Sequence, residues 1–205
     1  MVITTCPQRT DKVLLPPKNS MPYTQLDHFI AKMRFRAAYP HLKAASRVCD
    51  LGCGLEMAFL DFAEDKIAQG VGIDDQVESG VHGRWRRVHA DLRARLPFDD
   101  AQFDHVVMLA VFEHLTRPEA VLREGHRILV PGGSLIMTWP AALVDPILNV
   151  MHGFHLISDE MESDEHQKRL PVSEVRKMLE HVGFGDLHHR TFELGLNNLM
   201  VATKS

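Results

Sequence analysis

Residues 47–56 read Arg47-Val48-Cys49-Asp50-Leu51-Gly52-Cys53-Gly54-Leu55-Glu56, a short apolar run that ends in an acid and breaks into two closely spaced glycines. A strand over 47–51, a tight glycine turn and a helical pattern over 56–69 fit this order. Moving outward, short apolar runs at 70–74, 84–88, 103–108 and 134–139 have the length and composition of strands, and a second helical pattern fills 118–129. Thr116 and Glu119 stand at the T-x-x-E spacing of a capping box, Pro118 is tolerated in a first turn, and Pro131-Gly132-Gly133 ends the helix. Strands alternating with helices of this length imply a mostly parallel sheet, wound by right-handed crossovers, with helices on both faces. The fold class is α/β.

Upstream, Leu26, Phe29, Ile30, Met33 and Ala37 recur at helical spacing, with Thr24 as N-cap and Pro40 beyond the end, so 23–38 is expected as an amphipathic helix. Residues 1–22 hold Pro7, Pro16, Pro17 and Pro22 and read as an extended arm. Downstream, Val175, Met178, Leu179 and Val182 mark another helix closed by Gly183, and two β-like runs joined at 195–198 complete a C-terminal antiparallel hairpin within 172–205. One domain over 1–205, with a core at 47–139, accounts for the pattern.

The 205 residues suffice to bury roughly 70% of the unfolded surface. A hydrophobic content of 45% and a charged content of 24% exclude disordered and collagenous chains. The net charge of −4 leaves no excess of Lys and Arg to neutralise phosphates, which argues against a nucleic-acid partner and for a small molecule. Three cysteines (Cys6, Cys49, Cys53) suit a reducing compartment. Without a secretory pattern or an apolar stretch of about 18–20 residues, a cytoplasmic chain with no integral membrane segment is expected.

In an open parallel sheet the ligand binds at the carboxyl ends of the strands. After the first strand come Asp50, Gly52, Cys53 and Gly54. After the second comes Asp74, about 20 residues past the glycines, the spacing from which an acid accepts both hydroxyls of a ribose. Asp91 and Leu92 follow the third strand, and Leu109, Glu113 and His114 end or follow the fourth. These positions outline a nucleoside-shaped crevice. A dinucleotide fits it poorly, because its pyrophosphate would meet the Glu56 carboxylate on the helix N-terminus.

Taken together, Val48-Cys49-Asp50-Leu51-Gly52-Cys53-Gly54, Gly72-Ile73-Asp74, Leu96-Pro97-Phe98-Asp99 with Phe103-Asp104, Glu113-His114-Leu115 and Arg127-Ile128-Leu129-Val130-Pro131-Gly132-Gly133 resemble the class I S-adenosylmethionine-dependent methyltransferases, in particular the small bacterial branch called methyltransferase type 11. The resemblance runs from about 47 to 139, and Leu55-Glu56 departs from it where the family usually has a further glycine. It implies a Rossmann-like, doubly wound sheet and S-adenosyl-L-methionine as cofactor. It further implies that Asp50 supports the turn, Gly52, Cys53 and Gly54 approach the methionine moiety, and Asp74 holds the ribose. Asp91 and Leu92 would read the adenine, and Leu109 would meet the methionine end.

The function so implied is methyl transfer by in-line displacement to a small or medium-sized acceptor, glycans and lipid-linked compounds included. A non-catalytic cofactor-binding regulator is the competing reading. Glu113 and His114 are the candidate bases, although adjacent helical side chains point about 100° apart and both are not expected to face one pocket. Thirteen histidines, among them His152, His155, His166, His188 and His189, supply no spacing that completes a metal site. Residues 141–166 combine an apolar run with the acidic stretch 159–165 and read as a lid over the acceptor, with Trp139 and Phe154 as candidate lining residues.

Overall fold

Eight strands form one sheet in the order β3-β4-β2-β1-β5-β6-β8-β7, in a computed structural model that describes residues 25–141 and 170–205. The strands are β1 (Ser46–Leu51), β2 (Ile67–Asp74), β3 (Gly80–His82), β4 (Trp85–His89), β5 (Phe103–Leu109), β6 (Leu129–Pro140), β7 (Phe184–Phe192) and β8 (Asn197–Lys204). Strands β4, β2, β1, β5 and β6 run parallel, and β8 and β7 complete the sheet as an antiparallel hairpin. The α/β class, the Rossmann-like winding and the C-terminal hairpin are therefore as expected. The arm at 1–22, the segment 142–166, Phe154, His152, His155 and His166 lie outside the described residues.

Among the described residues the α-helices are α1 (Gln25–Ala38), α2 (Ala58–Phe62), α3 (Pro118–Ile128) and α4 (Val172–Val182). Because side chains alternate across a strand, β1 sends Cys49 and Leu51 to one face and Val48 to the other. The first face packs Val106, Met108, Leu135 and Met137 beneath Val121, Leu122 and Ile128 of α3 and Val175 and Leu179 of α4. The second packs Val107, Ile136 and Leu199 beneath Ala38 of α1 and Phe59 and Leu60 of α2. Each such fully buried aliphatic side chain contributes about 1.5–3 kcal/mol relative to exposure.

Four local expectations change. The helix expected over 56–69 is only Ala58–Phe62, followed by a 3-10 turn at Glu64–Lys66. Met57 takes a left-handed conformation (φ 50°) at its N-cap, so the helix cannot begin earlier. At the other end Ile67 pairs with Ser46 and opens β2, although it also falls on the helical period of Phe59, Leu60 and Ala63. The capping box does not form. Pro118 occupies the first helical position and Arg117 the N-cap, with no side-chain cap, so Glu119 is one place out of register. It pairs instead with Arg123 at 2.8 Å and His181 at 3.3 Å, joining α3 to α4. The hairpin turn lies earlier than 195–198, because Asn197 and Asn198 already pair with Pro140 and Trp139 in β8.

The fourth change concerns crossovers. No helix stands between β2 and β4, where the chain instead runs through edge strand β3, paired antiparallel with β4. From β4 to β5 the link is irregular. It is held by Arg127 of α3, whose guanidinium donates to the carbonyls of Leu96 and Phe98 and to the Glu124 and Asp100 carboxylates. Only 17% of that side chain is exposed, so the fourfold anchoring does the work that a helix does elsewhere in such folds.

Candidate cofactor and acceptor site

From β1 the sheet extends through β2 and β4 one way and through β5 and β6 the other, so the winding reverses between β1 and β5. The crevice at the carboxyl ends of those two strands is where an open α/β sheet binds its ligand. The glycine turn leaves β1 there. Gly52 and Cys53 donate their N–H groups to the Ile73 carbonyl at 2.8 and 3.1 Å, which folds the turn over the end of β2. Gly52 has φ 76°, and a Cβ on it would stand 2.4 Å from Val111 Cγ2. The turn is thus pressed against the segment that follows β5.

Asp74 ends β2 and receives two backbone donors, Gly54 N–H on Oδ2 at 3.0 Å and Gln76 N–H on Oδ1 at 2.9 Å. Asp50, 3% exposed, lies on the neighbouring strand, and burial together with the Asp74 charge raises its carboxyl to about 7. The Cys53 thiol is pushed up to about 12 by burial and by the same two carboxylates. It stays protonated at neutral pH and is not a nucleophile. Two acids at the floor of the turn favour a ligand that brings positive charge over one that brings pyrophosphate.

The segment after β4 lies beside this turn, since Ala90 N–H donates to the Asp74 carbonyl at 3.3 Å. Asp91 is exposed there and turned onto Arg93, whose Nε and Nη2 reach its oxygens at 2.8–3.1 Å. That guanidinium holds the Asp91 carboxyl below the usual carboxylate range. Leu92 is half-buried against the core. Leu109 closes β5, and Ala110 then turns with φ 57°, its N–H donating to both the carbonyl and the Oγ1 of Thr138 at 3.1 and 3.2 Å.

Glu113 and His114 share a 3-10 turn, Phe112–His114, but part company: Glu113 is buried and His114 exposed. Successive side chains of such a turn stand about 120° apart. Trp139 is a core residue, 1% exposed, packed on Phe112 and donating through Nε1 to the Leu170 carbonyl at 3.2 Å. Among the described residues no three His, Cys, Asp or Glu side chains are grouped to hold a metal. None of the described helices is long and apolar enough to cross a membrane.

The structure therefore gathers Asp50, Gly52, Cys53, Gly54 and Asp74, sets Leu109 one strand away, and leaves Asp91 engaged with Arg93. Sequence reasoning missed Thr138, which fixes the turn after β5. A threonine inside an apolar strand carries no signal for that role.

Residues 49–137 match a protein family described as a methyltransferase domain. A protein named "Probable S-adenosylmethionine-dependent methyltransferase" from Mycolicibacterium smegmatis is 30% identical over 148 residues, covering 70% of this chain and 54% of that protein. The ubiquinone biosynthesis O-methyltransferase of Pseudomonas syringae pv. tomato is 32% identical over 108 residues, covering 46% and 44% respectively. The chain thus spans about half the length of these curated relatives. Among solved structures, an S-adenosylmethionine-dependent methyltransferase from Archaeoglobus fulgidus superposes with a TM-score of 0.65 at 18% identity, covering 86% of this chain and 94% of that one. One from Mesorhizobium loti gives 0.64 at 20% identity, covering 83% and 95%. At these identities the superpositions establish the fold.

Proposed function

We propose that this chain, whose residues 49–137 match a methyltransferase domain, is a class I S-adenosylmethionine-dependent methyltransferase that transfers a methyl group to a small or medium-sized acceptor. The observation that carries the reading is the joint placement of the Gly52–Gly54 turn against Val111 and of Asp74 beneath Gly54, at the point where the sheet reverses its winding. A side chain at Gly52 would fill that cradle, and the two acids below it suit a cationic, phosphate-free nucleoside.

S-adenosylmethionine, when bound, supplies a methyl group already activated by its sulfonium. The protein's part is then positioning and exclusion of water. Asp74 is held by two backbone donors and keeps lone pairs on both oxygens for the ribose hydroxyls. Asp50 offsets positive charge at the methionine end without touching solvent. The Gly52, Cys53 and Gly54 backbone and Leu109 wall that end, while Asp91 and Leu92 serve the adenine. For Asp91 this requires its carboxylate to share itself between Arg93 and the base. His114, exposed where Glu113 is buried, is the better placed of the two to take a proton from an acceptor hydroxyl or ammonium.

Glycans and lipid-linked compounds are within the proposed acceptor range, and the relatives' names include a ubiquinone-pathway O-methyltransferase. Incubating the protein with labelled S-adenosylmethionine and a fractionated metabolite pool tests the reading. Appearance of S-adenosylhomocysteine together with a labelled product supports transfer. Tight cofactor binding with no product in any fraction would identify a non-catalytic binder.

A further inference from the structure

The turn that joins β7 to β8 and the first residue of β8 hold a polar pair with spare hydrogen-bonding capacity. Asn197 is 5% exposed, and its Nδ2 donates to Glu193 Oε2. The remaining oxygens, Asn197 Oδ1 and Glu193 Oε1, are both buried and have no hydrogen-bond partner among the described residues. A buried polar atom left so costs about 1–3 kcal/mol, and two in neighbouring side chains call for a donor from outside the fold. The backbone is strained to hold them. Glu193 and Leu194, neither of them glycine, take left-handed conformations with φ of 52° and 56°. The turn tucks Glu193 inward and leaves Leu194 fully exposed. Such strain persists where the surrounding structure enforces it, typically at binding sites.

The pair stands beside the proposed methyl-transfer site. Asn197 lies opposite Pro140 on β6, and Leu109 of β5 lies opposite Thr138 on the same strand, so strand spacings put Asn197 about 12 Å from Leu109. The Leu196 carbonyl, in the same turn, accepts Ala141 N–H at 2.8 Å, which fixes the loop to the carboxyl end of β6. Arg34 of α1 is close enough to act electrostatically on Glu193.

We propose that Asn197 Oδ1 and Glu193 Oε1 form the recognition site for the methyl acceptor, binding a neutral group that donates two hydrogen bonds from adjacent hydroxyls. Two oxygen acceptors without donors of their own admit such a donor and reject a carboxylate or phosphate. This assignment rests on the methyltransferase reading for its purpose, although the binding itself does not depend on it.

The test is a titration of the ¹⁵N-labelled protein, with and without S-adenosylhomocysteine, with catechol and 1,2-propanediol and with their dimethyl ethers, whose donors are capped. The diols are expected to shift the backbone amide signals of 193–198, and the ethers are not. In Glu193→Gln, which places an NH2 where the orphan oxygen was, and in Asn197→Leu, the diol response is expected to weaken at least tenfold, with affinity for S-adenosylhomocysteine unchanged. Equal shifts from diols and ethers, diol shifts preserved in both variants, or no shift from either diol would overturn the proposal. Failure to bind S-adenosylhomocysteine would strike the methyltransferase reading alone, and the contrast between diol and ether in the free protein would still decide this one.

Discussion

The backbone N–H of Gly54 donates to Oδ2 of Asp74 at 3.0 Å, tying the turn after β1 to the acid that ends β2. One side chain therefore shapes the turn and faces the crevice, and its loss acts on both. Asp74→Ala is expected to weaken S-adenosylhomocysteine binding by about 1.5–3 kcal/mol, the range for losing a charge-assisted hydrogen-bond partner, while the protein stays folded. Calorimetric titration of the folded variant checks this, and unchanged affinity would remove Asp74 from the site.

Gly52→Ala forces a Cβ to 2.4 Å from Val111 Cγ2 at a φ of 76°. We expect a loss of about 1–3 kcal/mol in urea unfolding, from the left-handed backbone and the overpacking together. Adding Val111→Ala relieves the clash but not the backbone strain, so the double variant should recover part of the loss and no more.

Asp91 and Arg93 are exposed partners, and ion pairs of that kind contribute little to stability. Asp91→Ala and Asp91→Asn should therefore unfold like the parent protein. Cofactor affinity should fall in the order parent, Asn, Ala, because an amide still offers an oxygen to the adenine amino group. Equal affinity in all three would make Asp91 a turn residue only.

Two buried groups give stability opposing pH dependences. His105, 1% exposed, accepts Lys43 N–H on Nε2 at 3.0 Å and has Ser134 Oγ 2.7 Å from Nδ1, and burial lowers its pKa to about 4. A depressed histidine stabilises the fold fully above its unfolded value of about 6.5 and loses that contribution, up to about 3 kcal/mol, as pH falls toward 4. Asp50, raised to about 7, does the reverse: its contribution is full below about pH 4 and is lost as pH rises through 7. Between pH 7 and 4 the two offset. Unfolding curves should show a steeper acid loss in Asp50→Asn and, in His105→Gln, stability that rises as pH falls from 7 to 4, and parallel profiles for all three proteins would contradict both assignments.

The residues that carry the fold announce themselves locally. Asp50 to Gly54 and Asp74 are legible because a glycine turn and a strand-end acid at that spacing have few other uses. What was not legible depends on contacts distant in sequence. Ile67 satisfies the helical period and the β2 pairing equally well, so only its register with Ser46 shows where α2 has ended. Strand β3 is three exposed residues defined by pairing with β4, and nothing in Gly80–His82 itself marks it. Thr116 and Glu119 have the right spacing, but the proline between them moves the cap by one residue. For Glu193 and Asn197 the sequence offers two ordinary loop residues four apart. Their missing partners are visible only once the hairpin, β6 and α1 enclose them.

The crevice at the carboxyl ends of β1, β2 and β5 is the proposed binding site for S-adenosylmethionine. Calorimetric titration of the protein with S-adenosylmethionine and S-adenosylhomocysteine, and in parallel with a nicotinamide dinucleotide, tests it most directly. Saturable one-to-one binding of the first two, weakened in Asp74→Ala, with no heat from the dinucleotide, is the predicted result. Binding of the dinucleotide, or of neither methionine derivative, would rule out this assignment of the crevice.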